Sequence, residues 1–261
     1  MPITYSEYLR LDCILSAQKP LSEGPEHDEM LFIIIHQSYE LWFKQLLHEG
    51  DYLKSLLVEN DVPRSLHTLK RMLTILKVLV HQIDILETMT PLEFLSFRQR
   101  LESASGFQSV QFRELEFLLG QKKRMHLNQQ GLTQEDKDKL SSRFNGATLW
   151  DAFILFLYDN KYEVPDNLLN RDVTEPISPS HDMQKILIYI YKNDHRIAQL
   201  CELLVDLDEG FQEWRYRHVK MVERTIGTRK GTGGSEGVAY LRTTLSRSFF
   251  PDLWEIRKEF K

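Results

Sequence analysis

The chain is poor in cysteine, with only Cys13 and Cys201 among 261 residues. They form neither CxxC nor CxxCH, which excludes a zinc knuckle and a covalently attached c-type haem. Long apolar runs are also missing. Runs such as 30–35 and 186–191 fall far short of the roughly 20 residues that a membrane span needs. The opening residues, Met1-Pro2-Ile3-Thr4-Tyr5-Ser6-Glu7, lack the basic start and apolar stretch of a signal peptide. These features predict a protein of the reducing cytoplasm, without a membrane partner. A basic excess is lacking too: 33 Lys and Arg against 38 Asp and Glu leave a net charge of −5. No nucleic-acid partner is expected, since phosphates call for a basic face. The cluster Arg215, Arg217, His218 and Lys220 is local and is offset by acidic stretches such as Glu26, Asp28 and Glu29.

Several catalytic signatures are absent as well. There is no Glu-x-x-His pair for a di-iron bundle and no His-Glu-x-x-His. His36, Glu40 and His48 share one helical segment but find no second cluster of matching spacing. The glycine-rich stretch 227–237 lacks the Gly-Lys-Ser/Thr ending of a phosphate-binding loop, and it follows a helix rather than a strand. No alternation of apolar and polar residues runs long enough to build a sheet.

What remains is helical periodicity. Apolar residues from Leu66 to Leu86 recur at three and four, predicting a helix over 64–86. Thr90-Pro91-Leu92-Glu93 combines a cap, a first-turn proline and a capping-box glutamate, and opens a helix carrying Phe94, Phe97 and Arg98. Further helices are predicted over 107–119, with Gly120 as C-cap, over 135–144 after Thr133, over 149–158 and over 238–247. The proline-free stretch 181–226 predicts one very long helix or two in tandem, bending near Gly210. Glu26-His27-Asp28-Glu29 reads as an acidic, solvated helix start. The class is all-α, and residues 1–261 read as one helical domain.

Two histidines lie on apolar helix faces. His36 shares a face with Phe32. His218 falls in the stripe Phe211, Trp214, His218, Met221, Thr225, with Arg215, Arg217 and Lys220 on other faces. Each is read either as a satisfied core histidine or, for His218, as an axial ligand in an apolar haem slot. Arg98, on an inward-packing helix, needs an anion: a carboxylate side chain, solvent, or a substrate carboxylate held bidentately. The 227–237 stretch is a mobile connection or a lid that orders over a substrate, with Thr232 supplying a hydroxyl.

In order along the chain stand Thr4-Tyr5-Ser6-Glu7-Tyr8-Leu9-Arg10-Leu11, His27-Asp28-Glu29-Met30-Leu31-Phe32-Ile33-Ile34, Glu40-Leu41-Trp42, Ser105-Gly106-Phe107-Gln108-Ser109, Trp214-Arg215-Tyr216-Arg217-His218 and Gly231-Thr232-Gly233-Gly234-Ser235. Together these segments resemble the tryptophan 2,3-dioxygenase family. The resemblance implies long helices packed around a buried haem b, one per subunit, and a homotetramer. It implies that L-tryptophan and O2 are converted to N-formyl-L-kynurenine. By the same resemblance, His218 matches the proximal haem ligand and His36 the distal histidine that accepts a hydrogen bond from the indole N–H. Arg98 matches the residue that grips the substrate carboxylate, and Thr232 the loop threonine at the ammonium and carboxylate end. Phe32, Phe97 and Leu101 match or adjoin the walls of the indole pocket. Tyr5, Tyr8 and Leu9 match an N-terminal segment that reaches a neighbouring subunit's site. Phe94 departs from the Tyr of some bacterial relatives, so the substrate carboxylate has one donor fewer. The rival readings are a related haem enzyme that oxygenates a different indole and a non-catalytic helical scaffold.

Overall fold

A computed structural model describes residues 2–229, 231 and 237–260. Among them every regular element is helical. Two short helices, α1 (Tyr5–Leu9) and α2 (Leu11–Leu15), precede the long α3 (Glu29–Val58) and α4 (Val62–Leu86). Then follow α5 (Pro91–Arg98), α6 (Val110–Leu118), α7 (Gln134–Asn145), α8 (Leu149–Asp159) and α9 (Asp166–Leu169). The chain closes with α10 (His181–Asn193), α11 (His195–Ile226), α12 (Val238–Arg242) and α13 (Pro251–Glu255). Helices α3, α4 and α11 form the centre: α4 packs on both α3 and α11, while α6 and α8 cover α3. Among the described residues, no helix is long and apolar enough to cross a membrane.

Local chemistry starts these helices. Asp61 caps α4 by accepting from the Arg64 N–H, and Pro63 sits in the first turn. Thr90 and Glu93 form the expected capping box of α5. Thr133 with Asp136 and Thr148 with Asp151 do the same for α7 and α8. Gly120 has a φ of +97°, the left-handed conformation expected just past a helix end.

Four expectations are corrected. The 181–226 stretch breaks at Asp194, not at Gly210. The Asp194 side chain accepts from the Arg196 and Ile197 N–H groups, starting a new helix there. Gly210 lies inside α11, where a Cβ would stand 3.1 Å from Leu76 Cδ1, so its role is close packing against α4. The 107–119 helix begins only at Val110, because residues 106–108 form a separate 3-10 turn capped by Ser105. The 238–247 helix stops at Arg242, and α13 was not anticipated. Finally, Glu29 is not solvated. It is buried and accepts from the Leu21 N–H at 2.7 Å, the Ser22 N–H at 2.8 Å and the Ser22 hydroxyl. That carboxylate pins the segment behind α2 to the first turn of α3.

Candidate active site

Between α3, α4, α5, α6 and α11 lies a cavity of about 270 Å³. Helix α3 turns Phe32, His36, Tyr39 and Phe43 into it because residues three and four apart share a face. From the opposite wall, α11 presents Trp214, His218, Met221 and Thr225 by the same rule. Aromatic rings tile the floor. Trp214 meets Phe112 at 5.1 Å and Phe43 edge-on at 6.1 Å between centroids.

The two imidazoles on these walls differ in state. His218 is stacked on Trp214, 5.3 Å between centroids and 11° from parallel. Burial, aided by nearby His36, pushes its pKa down to about 4, so the ring is neutral at ordinary pH. It makes no hydrogen bond to the described residues, which leaves its ring nitrogens uncommitted. His36 is committed at one nitrogen. Its Nδ1 lies 2.7 Å from the Phe32 carbonyl oxygen, which can only accept, so Nδ1 carries the proton. Nε2 is then the bare, accepting nitrogen. Burial lowers the pKa of His36, opposed by the bond to Phe32 and by the charge of Glu40.

Phe94 and Arg98 line the cavity from α5. Phe97 does not: it is fully buried behind the wall, edge-on to Phe94 at 5.5 Å and to Phe32 at 5.6 Å. Its side chain supports the pocket from behind, packed against Phe94 and Phe32. Leu101 lies instead on a separate surface depression of about 460 Å³ with Leu21, Arg100 and Gln108, none of whose titratable residues is buried. Tyr5 and Tyr8, 76% and 74% exposed, and the exposed Leu9 do not line the cavity of their own chain. Gly231 and Gly237 stand at its edge. Thr232 lies outside the described residues.

The chain matches the family model described as tryptophan 2,3-dioxygenase over residues 1–152 and 161–260. It is 55% identical to the tryptophan 2,3-dioxygenase of Herpetosiphon aurantiacus over 98% of both chains. This chain belongs to the tryptophan 2,3-dioxygenase family. The family protein of Anaeromyxobacter sp. strain K is 49% identical, over 98% of this chain and 95% of the relative. That of Caulobacter vibrioides is 45% identical, over 98% and 97%.

Sequence reasoning missed a polar corner of the same cavity. Arg113 and Glu116 on α6 and Arg215 on α11 are all buried cavity residues. Arg215 was assigned to another face of its helix. It is three residues from His218, however, and the spacing alone would have put the two on one side.

Proposed function

We propose that this chain is a haem-dependent dioxygenase that converts L-tryptophan and O2 to N-formyl-L-kynurenine. All 261 residues would form one domain, acting in the cytoplasm as a homotetramer. The observation that carries the reading is one aromatic cavity with His218 and His36 on facing walls and Arg98 beside them. The residues fit haem b. A histidine that serves as axial ligand must be neutral, with a free nitrogen in an apolar slot, and His218 meets each condition. A planar macrocycle needs aromatic and aliphatic walls, which Phe43, Phe112, Ile83 and Met221 supply. When bound, haem supplies the redox chemistry of dioxygen.

The chain's own residues do the rest. His218 would hold the cofactor, and Phe32 and Phe94 would flank the indole. Arg98 and Thr232 would grip the carboxylate and ammonium, so that the substrate enters as a free amino acid. The accepting Nε2 of His36 would take the indole N–H and set the ring's rotation about its tether. Together these contacts present the C2–C3 bond for cleavage and keep water out. Mixing ferrous protein with L-tryptophan without air, then admitting air, should produce N-formylkynurenine absorbance. A singly oxygenated or different product would sink the assignment.

His36→Ala should weaken turnover without ending it. One neutral hydrogen bond is worth on the order of 1 kcal/mol, or about fivefold in kcat/KM. Discrimination against 1-methyl-tryptophan should fall as well, because the methyl group no longer meets the imidazole. In the wild type, kcat/KM should drop as pH falls through the depressed pKa of His36, below its ordinary 6.5, because protonated Nε2 cannot accept. That acid limb should be missing in the variant. Complete inactivity with intact haem and substrate binding would instead mark His36 as an obligatory base.

The exposed Tyr5, Tyr8 and Leu9 would complete a neighbour's site, since a terminal aromatic helix is stable only when docked. Subunits carrying Arg98→Ala, mixed with subunits lacking residues 1–9, should recover activity once exchange is verified. No recovery after proven exchange would show that each subunit completes its own pocket.

A further inference from the structure

Trp214 and His218 stand four residues apart on α11, and their rings lie face to face, 5.3 Å between centroids and 11° from parallel. A metal-ligating histidine ordinarily donates its second ring N–H to a carboxylate, a carbonyl or water, and that bond fixes the orientation of the ring. His218 has no such partner among the described residues, and the indole face is the contact that matches its plane. The indole is itself braced. Phe112 meets it at 5.1 Å and 45°, Phe43 at 6.1 Å and 89°, and Tyr39 at 6.2 Å and 58°. The three rings are tilted differently against Trp214, so no single rotation of the indole relieves all of them. Tyr39 is in turn tied down, its hydroxyl donating to the Leu79 carbonyl oxygen of α4 at 2.6 Å. Helices α3, α4 and α6 thus fix the plane of Trp214, and Trp214 passes that plane to His218.

We propose that Trp214 is the positioning residue of the axial histidine: its stacked indole sets the rotation of the His218 imidazole, the task that a hydrogen-bonded carboxylate or carbonyl performs for other metal-bound histidines. The inference rests on the haem reading above. A single bond from the imidazole to a metal leaves the ring free to turn about that bond. Turning it out of the present plane would lift one edge off the indole and drive the other into it, and the braced indole cannot follow. An aliphatic side chain at position 214 would offer no flat face and would leave several rotations equivalent. Trp214 also carries an N–H donor, and the test separates the face from the donor.

The full-length chain, carrying histidine labelled at Cε1, is purified free of haem, and the His218 resonance is assigned by its loss in His218→Ala. In wild-type protein the ring current of Trp214 should move that resonance upfield. Trp214→Phe, which keeps an aromatic face and lacks the donor, should retain most of the shift, and Trp214→Leu should lose it. The same proteins are then loaded with haem. Trp214→Leu should release haem about 10-fold faster or more, the usual effect of removing a group that orients a metal ligand. Its ferric electron paramagnetic resonance should broaden as the imidazole takes several rotations. Trp214→Phe should stay close to wild type in both respects. An unshifted His218 resonance in wild-type protein would overturn the inference with no variant involved, so the test stands even if Trp214→Leu does not fold. Unchanged haem release and spectrum in Trp214→Leu would mean that other packing sets the ring. Equal damage in Trp214→Phe and Trp214→Leu would mean that the N–H is what matters. Each of these results sinks the inference and leaves the haem reading intact, whereas failure of wild-type protein to form a haem complex would overturn both.

Discussion

His218→Ala is expected to give a folded chain that no longer takes up haem in a defined state. The imidazole makes no hydrogen bond to the described residues and owes its place to stacking on Trp214. Removing it takes away the candidate ligand without stranding a buried polar partner. The far-ultraviolet spectrum of the haem-free protein should therefore change little, while the ferrous five-coordinate spectrum is lost. Neither the cysteines nor His36 is placed to substitute. Cys201 is buried in α11 with its thiol pushed far up by desolvation, and thiolate is the ligating form. Cys13 is exposed on α2 and does not line the cavity. His36 stands on the facing wall with Nδ1 tied to its own helix. A variant that kept the wild-type spectrum would remove His218 from the ligand role.

The second large effect concerns stability. Asp208 is fully buried, and its Oδ2 accepts from the Phe249 N–H at 2.8 Å, the Phe250 N–H at 3.0 Å and the Trp254 indole N–H at 3.0 Å. Through that one carboxylate, α11 holds the segment leading into α13. Asp208→Ala strands three donors in the interior, each worth about 1–3 kcal/mol. It also loosens the buried Phe249 and Phe250 rings. We expect a loss of about 3–5 kcal/mol, read from equilibrium denaturation in urea. Asp208→Asn keeps an accepting oxygen but not the charge, and should lose clearly less. A loss below about 1 kcal/mol for the alanine variant would mean that packing alone holds the C-terminal segment.

The elements legible in the sequence are those whose causes lie within one or two helical turns. Thr90 and Glu93 stand three apart and bond to each other's backbone, so the start of α5 could be read directly. The stripe Phe211, Trp214, His218 and Met221 repeats at the helical period and correctly aimed His218 inward. The Phe32 and His36 spacing likewise put both residues on the cavity, and the i to i−4 bond that selects the His36 tautomer follows from that spacing. The all-helical class was equally local, since it rests on periodicity and caps.

What tertiary structure decided were the fates of charges and the choice between equivalent local signals. Gly210 looked like the weak point of a long helix, but packing against Leu76 uses the missing side chain, and the break fell at Asp194 instead. Phe97 carried the same local pattern as Phe94, yet only Phe94 reached the cavity. Glu29 looked solvated until the chain folded Leu21 and Ser22 back onto it. Asp208 and Arg215 read as ordinary polar residues of α11. Their meaning comes from partners 29 to 46 positions away along the chain. A cap or an apolar stripe acts across one or two turns, so the residues that make it are neighbours in sequence. The cost of burying a charge depends on what distant segments bring beside it, and only the folded chain brings them there.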